Sequence, residues 1–191
     1  MAQKQQHNSV VVHVAFASTL NNTSDSSTII PVQPYLYNNS TYGIQFQSPN
    51  GWNKIETLAG RTSLVQFNSP SRNATGGIEI PASVAISIEK GLGNITTLQQ
   101  YSEAADKLLN RILGNFTAKS QPVTLSGLPA ISRIIGTEHP ISGIGISITQ
   151  VFVIKNNNAY SITYTVPTSS YYRYLPVVQQ ILNSFQIVDS N

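Results

Sequence analysis

Ile144-Gly145-Ile146-Ser147-Ile148-Thr149-Gln150-Val151-Phe152-Val153-Ile154, then Asn156-Asn157-Asn158, then Tyr160-Ser161-Ile162-Thr163-Tyr164-Thr165-Val166 is the stretch whose reading decides the fold. Ile144, Ile146, Ile148, Phe152 and Ile154 share one parity, and Tyr160, Ile162, Tyr164 and Val166 alternate with Ser161, Thr163 and Thr165. Successive strand side chains point to opposite faces, so this pattern predicts two strands with a turn at the asparagines, an antiparallel hairpin.

Working outward, the same period recurs in Tyr42-Gly43-Ile44-Gln45-Phe46-Gln47, which Ser48-Pro49-Asn50-Gly51 breaks before Trp52, and in 83–90, where Val84, Ile86 and Ile88 share a parity. Short strands are expected over 53–58 and 62–67. Two more are expected over 115–125 and 130–136, joined at Ser126-Gly127-Leu128-Pro129. Trp52 is read as an anchor at the edge of the core.

Two segments change period. Leu98, Tyr101, Ala105, Leu108 and Ile112 recur at helical spacing, with Thr97 and Gln100 as a capping box and Gly114 as the stop. Glu103 and Lys107 mark the outward side. Val178, Ile181, Leu182 and Phe185 predict a second amphipathic helix, with Pro176 in its first turn or at its start. Strands joined by hairpins, with helices interposed, give an α+β fold: a central antiparallel sheet flanked by helices. The regular alternation of a doubly wound nucleotide-binding fold is missing.

The 191 residues fit one domain with a tail. Residues 1–39 are read as a lead and linker, largely disordered, and 40–191 as the domain. The lead carries Lys4 and the apolar run Val10-Val11-Val12-His13-Val14-Ala15-Phe16-Ala17, a pattern resembling a signal peptide or the remnant of an anchor. No stretch approaches the roughly 20 apolar residues of a membrane span.

Charged residues make up 10% of the chain, well under the typical figure of about 25%. Its polar surface is therefore Asn, Gln, Ser and Thr. Net charge is +3, and the basic residues are scattered, with no run that would neutralise a row of phosphates, so nucleic-acid binding is not expected. Cysteine is absent, which excludes disulfides, thiolate metal sites and a cysteine nucleophile. Sequons begin at Asn21, Asn22, Asn38, Asn39, Asn73, Asn94 and Asn115, a density suited to a glycosylated, exported protein.

Catalytic chemistry is hard to assemble from these residues. With His7 and His13 in the lead, a Ser-His-Asp arrangement would have to use His139, and there is no Gly-x-Ser-x-Gly elbow. Glu138 and His139 are adjacent and could touch a divalent ion, yet neighbours in sequence seldom converge on one metal. A clustered Asp-x-Asp calcium loop is absent, so no cofactor is expected beyond weak binding of calcium or another divalent ion. Tyr171, Tyr172, Arg173 and Tyr174 form the densest aromatic group. They are read either as a partner-binding patch or as caps on the core beneath the last helix.

Tyr42-Gly43-Ile44-Gln45-Phe46-x-x-Pro49-x-x-Trp52 resembles the opening of PsbP-like domains. The likeness continues through the helix 97–113, Leu128-Pro129-Ala130, Ala159-Tyr160-Ser161-Ile162-Thr163-Tyr164 and Ile181-Leu182-Asn183-Ser184-Phe185, about residues 40–189. It implies the α/β/α fold of PsbP and the Mog-type import factors, and a non-enzymatic protein that works with a membrane complex. The low-charge, Asn-rich composition looks like that of an exported archaeal relative. Three functions are expected in descending order: an extracytoplasmic accessory or assembly factor with a protein partner, a carrier of a small apolar ligand held near Val84, Ile86 or Ile162, and a hydrolase of unusual site.

Overall fold

The computed structural model describes residues 35–59, 62–70, 80–114 and 116–188. The strands are β1 (Leu36–Asn39), β2 (Ile44–Gln47), β3 (Asn53–Ala59), β4 (Thr62–Asn68), β5 (Ser83–Lys90), β6 (Thr117–Leu125), β7 (Leu128–Glu138), β8 (Gly145–Lys155), β9 (Asn158–Pro167) and β10 (Gln186–Ile187). Helix α1 (Leu98–Leu113) lies between β5 and β6, and α2 (Tyr171–Ser184) follows β9 after a 3-10 turn at Thr168–Ser170.

The hairpin of β8 and β9 sits at the centre, because both of its faces carry side chains that need covering. A seven-stranded antiparallel sheet forms around it in the order β3-β4-β5-β9-β8-β7-β6. Its turn uses Asn156 and Asn157 at φ 51° and 60°, the left-handed pair that a two-residue hairpin requires and that Asn tolerates. A second sheet, β1-β2-β10, is also antiparallel. Residues 36–39, assigned to the linker on sequence, are strand: Leu36 to Asn39 pair with Gln47 to Ile44.

Each face of the large sheet has its own core. On one, α1 packs Tyr101, Ala105 and Leu109 against Ile135, Ile146, Ile148 and Phe152. On the other, α2 and the small sheet bring Val178, Ile181, Phe185, Ile44 and Phe46 onto Val84, Ile86, Val153, Ile162 and Tyr164. Full burial of such a side chain contributes about 1.5–3 kcal/mol relative to exposure.

The α1 capping box forms as expected, with the Gln100 amide donating to Thr97 Oγ1 and the Gln100 side chain accepting from the Thr97 amide. Its inward stripe is shifted, however. Leu109 is fully buried, whereas Ile112, assigned to the stripe, is 51% exposed. Pro176 is corrected too: α2 begins at Tyr171, so Pro176 lies in its interior. Pro129 belongs to β7, opposite Thr124, and the turn is Ser126-Gly127 alone, both at positive φ.

The outer strands of the large sheet are protected. β6 is exposed along most of its length and carries Lys119 and Pro122, and β3 carries the ion pair Lys54–Glu56 at 3.1 Å. Charged residues and proline on an edge discourage pairing with another chain.

Candidate functional site

Strand register collects distant segments at one end of the large sheet. Asn53 opposes Asn68, Asn68 opposes Ser83, and Ser83 opposes Thr165. Pro167 lies opposite Ile146, Glu138 opposite Gly145, and Thr117 opposite Gly136. Trp52, the C-terminus of α1, the β7–β8 loop and the start of α2 therefore all lie at that end, spread across the width of the sheet. This end exposes Ile141 at 86%, Tyr172 at 82% and Ile112 at 51%.

The predicted aromatic group divides between two roles at this end. The Tyr171 ring lies 5.7 Å from that of buried Tyr164, and its hydroxyl is 3.1 Å from Thr149 Oγ1. Tyr164 in turn donates to the Tyr171 carbonyl at 2.9 Å, and burial pushes its hydroxyl pKa upward. Tyr174 packs on the half-buried Trp52 with ring centroids 5.6 Å apart at 89°. Tyr172 meets Tyr171 at 88° and otherwise faces outward, and the Arg173 guanidinium lies 5.3 Å over the Tyr174 ring. Tyr171 and Tyr174 thus cap the core, while Tyr172 and Arg173 remain on the surface.

Glu138 and His139 sit at the same end. Glu138 is exposed at the tip of β7. His139 Nδ1 is 3.1 Å from Ser142 Oγ and 3.3 Å from the Ser142 amide, which donates to it. The Gly143 amide donates to the His139 carbonyl at 2.9 Å, and the His139 amide to the Ile144 carbonyl at 2.8 Å. The imidazole thereby pins a tight loop, and the one in-plane lone pair of Nδ1 is shared with a backbone N–H rather than reserved for the serine hydroxyl. No group of three or more His, Asp or Glu side chains suited to a metal ion occurs among the described residues.

Among the described residues, open grooves lie at both ends of the sheet. One of about 770 Å³ runs between the α1 C-terminus and the ends of β6, β7 and β8, with Ile112, Phe116 and Ile146 on its apolar side and Glu138 and Ser147 on its polar side. The other, of about 540 Å³ at the opposite end, is bordered by Ser126, Leu182, Phe185 and Val188. Val84, Ile86 and Ile162 are no more than 1% exposed in the core, and neither groove reaches them.

The opposite end is built from Gly- and Asn-rich turns. Asn94 is exposed there, before α1, and Asn38 is exposed on β1, whereas Asn39 is half-buried and donates to the Tyr37 hydroxyl at 3.3 Å. Asn21, Asn22, Asn73 and Asn115 lie outside the described residues, as do His7, His13 and the apolar run of the lead.

A polar seam beneath α1 escaped the sequence reading. Arg133, 1% exposed, pairs with Asp106 and directs Nε to Gln150 Oε1 at 2.8 Å, while Gln150 Nε2 donates to Thr163 Oγ1 at 3.2 Å. Burial lowers the Arg133 pKa and Asp106 opposes that shift. Asp106, assigned to the exposed helix face, reaches inward instead. Each Arg133 nitrogen and Gln150 Nε2 has an acceptor here, so the cluster ties α1 to the sheet.

No family model matches the chain, and no curated protein gives a significant match. Solved structures do. Cyanobacterial PsbP from Synechocystis sp. PCC 6803 superposes with a TM-score of 0.59 at 12% identity, over 87% of this chain and 98% of that one. The fold is PsbP-like. LpqN of Mycobacterium tuberculosis, described as involved in cell envelope biogenesis, gives a TM-score of 0.56 at 14% identity over 76% of this chain and 83% of its own. A Pseudomonas aeruginosa protein of unknown function gives 0.52 at 17% identity, over 78% and 93%. At these identities the PsbP-like likeness concerns architecture, and function has to be argued from the site. Among the described residues, no helix is long and apolar enough to cross a membrane.

Proposed function

We propose that this chain is a non-catalytic, extracytoplasmic accessory or assembly factor that works at a membrane or cell-surface complex. The observation that carries the reading is the exposure of Ile141, Tyr172 and Ile112 at one end of the large sheet. Exposed apolar side chains collected at one end are suited to association with a partner. The PsbP-like fold it shares with cyanobacterial PsbP and with LpqN supports the same reading. The low-charge, sequon-rich composition supports export, in an archaeal setting, with glycans on exposed Asn94 and Asn38 and at those of Asn21, Asn22, Asn73 and Asn115 that are accessible.

His139 is the discriminator against a hydrolase, since its ring holds the β7–β8 loop. The test of the main reading is cross-linking of the native protein in its source cells, then capture and mass spectrometry of bait and partners. Recurrent recovery of one membrane complex, with glycopeptides from the bait, is the expected result. Recovery of the bait alone overturns it and favours the carrier of a small apolar ligand, for which the groove beside Ile112, Phe116 and Ile146 is the place to look.

A further inference from the structure

We infer that the end of the molecule bearing Trp52, Ile112, Ile141 and Tyr172 rests on an anionic lipid surface. This deepens the accessory-factor reading by naming what that end meets. The exposed apolar residues Ile112, Ile141 and Tyr172 come from a helix C-terminus, a loop and a helix N-terminus, and half-buried Trp52 lies on a further loop at the end to which the strand register brings them all. Such side chains on loop tips and helix ends can enter the headgroup region without any change of fold. Tyr and Trp favour that region because the ring is apolar and its polar atom stays wet.

One further observation selects lipid over other occupants. The neighbouring rings stand edge to face, Trp52 to Tyr174 at 89° and Tyr171 to Tyr172 at 88°. They form no flat platform on which a sugar ring could stack.

Charge agrees in sign. Arg111 adjoins Ile112 and Arg173 adjoins Tyr172, both exposed, and Glu138 is the acidic residue exposed in the β7–β8 region of this end. Basic side chains beside an apolar insertion are drawn to anionic headgroups.

Trp52 is the single tryptophan of the chain, and it makes the test direct. The full chain is mixed with vesicles of phosphatidylcholine, or of phosphatidylcholine and phosphatidylglycerol in equal parts, each with and without brominated acyl chains. The expected result is sedimentation with the mixed vesicles, a blue-shifted Trp52 emission and quenching by the brominated lipid. Arg173→Gln should weaken binding about fivefold, the share of one basic residue near an anionic surface. Ile141→Ser should weaken it as well while leaving the circular dichroism unchanged. Sedimentation without quenching would mean that the lead alone binds, and absence of sedimentation would remove the lipid; either overturns the inference. Capture of a membrane complex from cells alongside an unquenched Trp52 would leave the accessory reading standing and this one refuted.

Discussion

The two faces of the large sheet are both buried, yet they are built from different chemistry. Facing α2, the layer is aromatic and aliphatic: Phe46 stacks on Tyr37 at 4.8 Å and meets Phe67 and Phe185 at 5.9 and 6.2 Å. Facing α1, the apolar patch of Ile135, Ile146, Ile148 and Phe152 adjoins a polar seam of Arg133, Gln150, Ser161, Thr163 and Thr165, each at most 6% exposed. The first face gains stability from area. The second gains orientation, since the Arg133–Asp106 pair forms only when α1 occupies one position.

The largest expected effect tests the apolar face. Phe46→Ala should cost about 3–5 kcal/mol in denaturant unfolding, because a fully buried ring with three aromatic neighbours leaves a cavity. A loss near 1 kcal/mol would mean that the small sheet closes over the gap. On the polar face, Asp106→Ala should cost about 2–3 kcal/mol, less than a fully enclosed pair because water reaches Asp106, and Arg133→Met should cost about 1–3 kcal/mol because it strips the buried Gln150 Oε1 of both its donors. The two losses have different causes: a buried guanidinium left uncompensated in the first case, a buried amide oxygen left without a donor in the second. A negligible loss for Arg133→Met would argue that Arg133 serves mainly as filling.

Alkaline pH probes both faces together. Burial first, and the charge on Glu89 second, raise the pKa of Tyr101 on the α1 face, and burial raises that of Tyr164 on the α2 face. Groups whose folded pKa lies above the unfolded value stabilise the fold fully below the unfolded value, and that stability is lost as pH rises. Unfolding free energy should therefore fall from about pH 10 upward, and Tyr101→Phe should flatten the fall in urea titrations. An unchanged slope would exclude Tyr101 as a source.

The smallest effect has the opposite sign. Thr165 Oγ1 is buried with no hydrogen-bond partner among the described residues, so Thr165→Val should stabilise the protein by up to about 1 kcal/mol in thermal or urea melts. Destabilisation would indicate a bound water at that hydroxyl.

Much of the architecture was legible because strong local signals coincide with it. The β8–β9 hairpin has strict alternation closed by asparagines, and α1 has a capping box. The polar seam was not legible for the same reason: Ser161, Thr163 and Thr165 alternate with apolar neighbours, which reads as a solvated face unless the covering helix is known. Arg133 reads as one more scattered surface cation, since nothing nearby in sequence announces Asp106, which sits on another element. Of the candidate site, Tyr172 and Arg173 stood out as part of an aromatic cluster. Ile112 and Ile141 did not. The first lies one residue from a buried stripe, and the second is a lone apolar residue in a polar loop whose meaning depends on which strand ends are neighbours.

The protected edges of the large sheet bear on how many copies can share a surface. If this end lies on a bilayer, neighbouring molecules are confined to two dimensions with their strands upright, so β3 of one meets β6 of the next far more often than in solution. Lys119, Pro122 and the Lys54–Glu56 pair then act as spacers, allowing a dense layer to stay fluid instead of zipping into ribbons.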